Sequence, residues 1–209
     1  MNSPREKTAA NSTRKQKVGL ESSATRARLL EAAEQLMLEE GYAAVTSRRL
    51  GAKAGVRSQL VHYYFPSMDE LFVALFRHCF EKGSQAAVDA LSSDQPLRVI
   101  WQQAIDLKGT ALSLEFMALA NHRKAIRAEF AKYGEQLRQI QHDALIKHLQ
   151  SRGITANISP KIISLLLSSI GMLITLESQV GMSYAHDEAL ILVELVLREF
   201  EASGMIRIG

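Results

Sequence analysis

Apolar side chains recur three and four residues apart along most of this chain, and no segment alternates in the manner of a half-buried strand. Leu29, Leu30, Ala33, Leu36 and Met37 define the first amphipathic helix. Ser22 or Ser23 is placed to cap it, and Gly41 is placed to end it. Two short helices follow. Thr46 heads one over residues 47–54, which Gly55 stops. The other covers 58–64, where Pro66 drives Phe65 out of the helical region. Ser67-Met68-Asp69-Glu70 forms a capping box ahead of a long helix reaching about residue 91, with Phe72, Phe76 and Phe80 on its apolar side. Pro96 suits the first turn of a helix carrying Trp101 and Ile105, and Gly109 is read as its separation from a helix at 110–121. Further helices are expected at 123–150, from 160 to near Gly181, and at 187–202. The pattern predicts an all-α chain of about nine helices: an arm at 1–21, three helices within 22–66, and a six-helix bundle within 67–209.

Composition narrows the functional classes. Apolar residues make up 47% of the 209, enough to bury a core. Residues 1–57 carry 11 Lys/Arg against 6 Asp/Glu, whereas the remainder carries 14 against 16. Only the front of the chain is suited to a polyanion, although a solvated charged surface would show the same split. Cys79 is the single cysteine, which excludes an intramolecular disulfide. The polar N-terminus lacks the apolar stretch of a signal peptide. The uncharged run 162–176 has 15 residues, short of the ~20 that span a bilayer, and reads as a buried or interface helix. No membrane association and a cytoplasmic location are therefore expected.

Residues 45–65 form a helix, a glycine turn and a second helix. Leu50, Ala54, Val56 and Val61 supply a buried side, and the small Ala52 and Ala54 are expected to let the two helices approach. The outward side offers Ser47, Arg48, Arg57, Ser58, Gln59, His62 and Tyr63. Such groups suit the major groove, where Gln pairs with adenine and Arg with guanine while hydroxyls hold phosphates. A helical hairpin with a solvated polar face would carry the same pattern.

Residues 24–70 resemble the N-terminal domain of the TetR (tetracycline-repressor) family. The resemblance lies in Thr25 to Ala33 followed by Glu40-Gly41-Tyr42, in the turn Ala54-Gly55-Val56, and in His62-Tyr63-Tyr64-Phe65-Pro66-Ser67. It implies that Ser47 and Arg48 touch DNA, that Ser58 and Gln59 select bases, and that His62, Tyr63 and Tyr64 grip phosphates. Three positions depart from the family pattern. Arg57 replaces a small hydroxyl residue, which would leave Ser58 to cap the recognition helix. Leu60 stands where many members have Thr, and Met68 stands where a Lys often reaches a phosphate. The arm adds Arg5, Lys7, Arg14, Lys15 and Lys17 as candidate phosphate contacts.

Beyond residue 70 the resemblance is one of architecture. It implies that 22–66 binds DNA through the helix-turn-helix, and that 67–209 binds a small effector and forms a homodimer. Candidate dimer residues are Leu166, Ser169, Ile170, Leu173, Leu190, Val193 and Leu197, with Ser168, Ser169 and Gly171 allowing close helix approach. Candidate pocket residues are Phe76, Trp101, Ile105, Phe116, Met117, Tyr133, Leu137 and Met172, which favour a hydrophobic or aromatic effector of unknown identity. His122, His142 and His148 do not share a face, so no metal and no cofactor is expected. No phosphate loop or nucleophile motif points to an enzyme. The expectation is a repressor released from an inverted-repeat, double-stranded operator. The alternative is a ligand-independent regulator or an activator with the same DNA domain.

Overall fold

A computed structural model describes residues 23–203 and 205 of the chain. Nine α-helices and one 3-10 turn are found among them, with no strand. In order these are α1 (23–40), the 3-10 turn Tyr42–Ala44, α2 (Ser47–Lys53), α3 (Ser58–Tyr64) and α4 (Met68–Leu91). Then come α5 (Pro96–Ala104), α6 (Leu107–His122), α7 (Lys124–Ser151), α8 (Pro160–Gln179) and α9 (His186–Ser203). The basic arm expected at 1–21 and the Ser22 cap lie outside the described residues. The chain divides into two compact units, and the division falls inside α4, between Leu75 and Phe76.

In the first unit α1 contributes Leu29, Leu30, Ala33, Leu36 and Met37 to a core that also holds Leu50, Val61 and Phe65. Thr46 caps α2 as expected, its hydroxyl accepting from the Arg49 amide at 3.4 Å. Gly55 takes φ of 65°, the left-handed conformation that makes the turn sharp. The close approach of α2 to α3 rests on a residue the sequence reading passed over. A Cβ on Gly51 would come 2.9 Å from the Val56 carbonyl oxygen and 3.2 Å from the Ser58 nitrogen. Ala52, expected at that contact, is exposed, whereas Ala54 is buried. The cap expected from Ser58 is not formed: Arg57 occupies the cap position in extended conformation without a side-chain bond, and Ser58 is the first helical residue. Ser67 does cap α4, accepting from the Glu70 amide at 3.1 Å and donating to its carboxylate at 3.4 Å. The Arg26 guanidinium lies 5.2 Å from the centre of the Phe65 ring, tying α1 to the end of α3 with a contribution of ~0.5–1 kcal/mol.

In the second unit Leu97, Ile100 and Trp101 of α5 pack with Leu145 and Leu149 of α7, Ile163 and Leu167 of α8, and Val193, Leu197 and Phe200 of α9. The closest approach is again at a glycine. A Cβ on Gly171 would sit 2.7 Å from the Ala104 side chain and 3.2 Å from the Trp101 ring. This glycine, expected to serve a dimer contact, is therefore used between α8 and α5 of the same chain. The break after α5 also differs from expectation. Ile105 ends α5, and Asp106 caps α6 by accepting from the Gly109 amide at 2.7 Å. Gly109 thus belongs to the first turn of α6 and does not separate two helices. Glu201 of α9 caps α5, its carboxylate accepting from the Leu97 and Arg98 amides at 2.9 and 3.1 Å. Burial pushes this carboxyl above its ordinary range, against those same bonds. α8 alone among the described helices is long and apolar enough to cross a membrane by length and composition. One side of it, through Ile163, Ser164, Leu167, Gly171 and Thr175, is buried in the chain's own core.

Candidate functional site

The turn between α2 and α3 aims a set of polar side chains outward. Leu50, Val61 and Phe65 anchor the two helices from below. Arg57, Gln59, His62 and Tyr63 are exposed, while Ser58, Leu60 and Tyr64 are half-buried. Gln59, His62 and Tyr63 are spaced three and four apart and so share one side of α3. The Tyr63 ring is 74% exposed and meets Tyr64 edge-on at 5.2 Å, which steadies two aromatic side chains at the end of the helix. Arg48 is exposed on the first turn of α2, beside a half-buried Ser47. All eight residues expected to face DNA are thus exposed or half-buried. Half-buried Met68 supplies no cation at the start of α4.

The basic side chains here fall into two kinds. Arg49 is held by Glu40, and Lys53 by Glu39 at 2.6 Å. The Arg49 hydrogen bond draws the Glu40 carboxyl below its ordinary range and raises that of the guanidinium. Arg48 and Arg57, by contrast, have no side-chain partner among the described residues. Their charges, together with the Gln59 amide and the His62 ring, are open to an external ligand. An arginine and a carboxamide on the front of a short helix are what base edges and phosphates require.

The sequence profile described as bacterial regulatory proteins, tetR family, matches residues 29–75, from within α1 through both helices of the turn to the start of α4. The first unit is thus similar to the tetR family of bacterial regulatory proteins. The chain is 25% identical over 153 residues to the HTH-type transcriptional regulator CymR of Pseudomonas putida, covering 70% of its own length and 75% of that protein. Its fold is also that of a transcriptional regulator from Saccharomonospora viridis in complex with choline, with a TM-score of 0.70 at 17% identity over 85% of this chain and 95% of the other. The multidrug binding protein EbrR complexed with proflavin is similar, with a TM-score of 0.55 at 21% identity over 81% and 98%.

The second unit holds a cavity of about 630 Å³ between α4 and α7. Phe76, Tyr133 and Leu137, expected at a pocket, line it; Phe80, Val88 and Ile140 complete its apolar wall. The rings interlock, with Phe80 and Tyr133 centred 4.1 Å apart and Phe76 meeting Phe116 edge-on at 5.1 Å. Arg77 and Glu129, paired at 2.6 Å, supply polar lining, and the pairing holds the Glu129 carboxyl below its ordinary range. Burial raises the Tyr133 phenol, whose hydroxyl has no hydrogen-bond partner among the described residues. The other expected pocket residues lie elsewhere. Phe116 is fully buried behind Phe76, Trp101 packs against Gly171, Ile105 and Met117 are exposed, and Met172 is half-buried on α8. Sequence reasoning missed Arg77 and Glu129, which lie 52 residues apart with no local signal of their pairing. Phe80 was legible from the four-residue spacing of Phe72, Phe76 and Phe80.

Among the expected dimer residues, Leu166 and Leu173 are 51% and 54% exposed; Leu190 and Ser169 are exposed too, and Ile170 is half-buried. Val193 and Leu197 are 2% and 0% exposed because they point into the chain's own core, so their side chains are not available to a partner. Leu165, Ile191 and Leu192 are exposed instead.

Proposed function

We propose that this chain is a cytoplasmic homodimeric repressor that leaves an inverted-repeat operator when a hydrophobic or aromatic effector enters the second unit. The observation that carries the DNA reading is the open pair Arg48 and Arg57 beside the outward Gln59 and His62. Homodimer formation is supported by the exposed Leu165, Leu166, Leu173, Leu190 and Ile191 on α8 and α9. An apolar patch of this kind is costly to leave in water, and a two-fold partner would cover it with its own copy. The effector class is supported by the aromatic wall of the cavity and by the aromatic ligand proflavin, held by a protein of the same fold.

The decisive experiment selects bound duplexes from a random library and measures the protein's mass in solution. The expected outcome is an inverted repeat with half-site centres one DNA turn apart, ~34 Å, bound by a particle of twice the chain mass. A single asymmetric half-site, or a monomer on the DNA, rejects this reading.

A further inference from the structure

We propose that Glu39 and Glu40 set how sharply this regulator distinguishes its operator from other DNA, by withholding Lys53 and Arg49 from phosphates. The inference rests on the DNA-binding reading above. Four cations lie on α2 and the turn after it, and the fold treats them differently. Arg48 and Arg57 are open. Arg49 and Lys53, one helical turn apart, are each taken by a carboxylate in the last turn of α1.

The placement of those carboxylates is telling. The C-terminal end of a helix carries partial negative charge, so two adjacent glutamates there lose stability within their own helix. Their compensation comes from α2, because the Arg49 hydrogen bond holds the Glu40 carboxyl ionised. Both pairs are solvent-exposed and so contribute little to folding. Their larger consequence is electrostatic. Phosphate contacts strengthen binding to every duplex alike, and each one adds ~0.9 to the salt dependence. A regulator with all four cations open would bind random DNA more tightly and gain little selectivity. Pairing two of them leaves affinity to depend on Arg48, Arg57 and the base-reading side of α3.

The test compares wild type with Glu39→Gln/Glu40→Gln on two probes: a random-sequence duplex and a duplex recovered by library selection, each over a series of salt concentrations. Glu31→Gln controls for net charge, since Glu31 is exposed on α1 about 12 Å along the helix from Glu39 and has no ion pair among the described residues. Glu39→Gln/Glu40→Gln/Arg49→Gln/Lys53→Gln tests whether the effect runs through the released cations. The double variant is expected to bind random DNA several-fold more tightly, with a salt slope steeper by ~1–2. The selected duplex should gain less, so the ratio between the probes falls. The control should match wild type, and the quadruple variant should lose the gain. The proposal is overturned by an unchanged slope and ratio in the double variant, by the same effect in Glu31→Gln, or by a gain that persists in the quadruple variant. Should thermal melting show the double variant unfolded, Glu39→Gln alone carries the same test with a slope change of ~0.9. Wild type that binds neither probe in a salt-dependent way defeats the DNA-binding reading itself. Wild type that binds while the double variant behaves identically defeats only the role of Glu39 and Glu40.

Discussion

The outward side of α3 and the outward sides of α8 and α9 are both exposed, yet their chemistry is opposite. On α3 the exposed groups are a carboxamide, an imidazole and a phenol beside the turn's guanidinium, all content in water until a polar ligand arrives. On α8 and α9 they include Leu165, Leu166, Leu173, Leu190 and Ile191, apolar groups that water disfavours at every moment. The first surface tolerates being empty, as a switchable interface must. The second favours permanent cover. On the function proposed above, reversible recognition and lasting assembly would be separated along one chain by the kind of side chain left outside.

The strongest way to break this comparison is to make the second surface resemble the first. Leu166→Glu/Leu173→Glu is expected to give a monomer in sedimentation with its helical circular dichroism intact. Because two linked half-sites bind with avidity, operator affinity should fall at least ~100-fold. A variant that stays dimeric would place the interface elsewhere.

A smaller loss is expected from Gln59→Ala, ~1–3 kcal/mol at one base position. In a selection experiment this variant should relax the preference at a single position of each half-site and leave the dimer mass unchanged. A uniform loss at all sequences would make Gln59 a phosphate contact.

The smallest effect sharpens the comparison from within the second unit. Arg77 holds the Glu129 carboxyl below its ordinary range, so folding gains stability from the pair above the unfolded value of 4.5 and loses it as pH falls through the lowered folded value. Glu129→Gln should therefore melt below wild type at neutral pH, and the two melting curves should converge in acid. A gap that persists at low pH would assign the loss to packing.

The helix order was legible because stops and caps are local. Gly41, Gly55 and Gly181 all adopt positive φ where helices were expected to end, and Thr46 and Ser67 cap as their positions suggested. The break at Ile105-Asp106 was missed because a glycine three residues on, Gly109, offered a stronger-looking stop than an aspartate cap. The outward residues of α3 were legible for a similar reason: seven residues of helix fix which side chains point outward once Val61 points in. The cavity and the close approaches were not. Gly51 against Val56, and Gly171 against Ala104, are properties of how two helices meet. Val193 and Leu197 show the same limit, because an apolar helix side reads alike whether its own chain or another covers it.

The approach at Gly171 has an optical consequence. The indole lodged there belongs to Trp101, the chain's one tryptophan, so its fluorescence is a single-site report with no background from elsewhere. Its emission should lie toward the blue, as befits a ring away from water, and should shift if α8 moves against α5. The molecule thus carries its own dye in the core of its second unit, readable without any label.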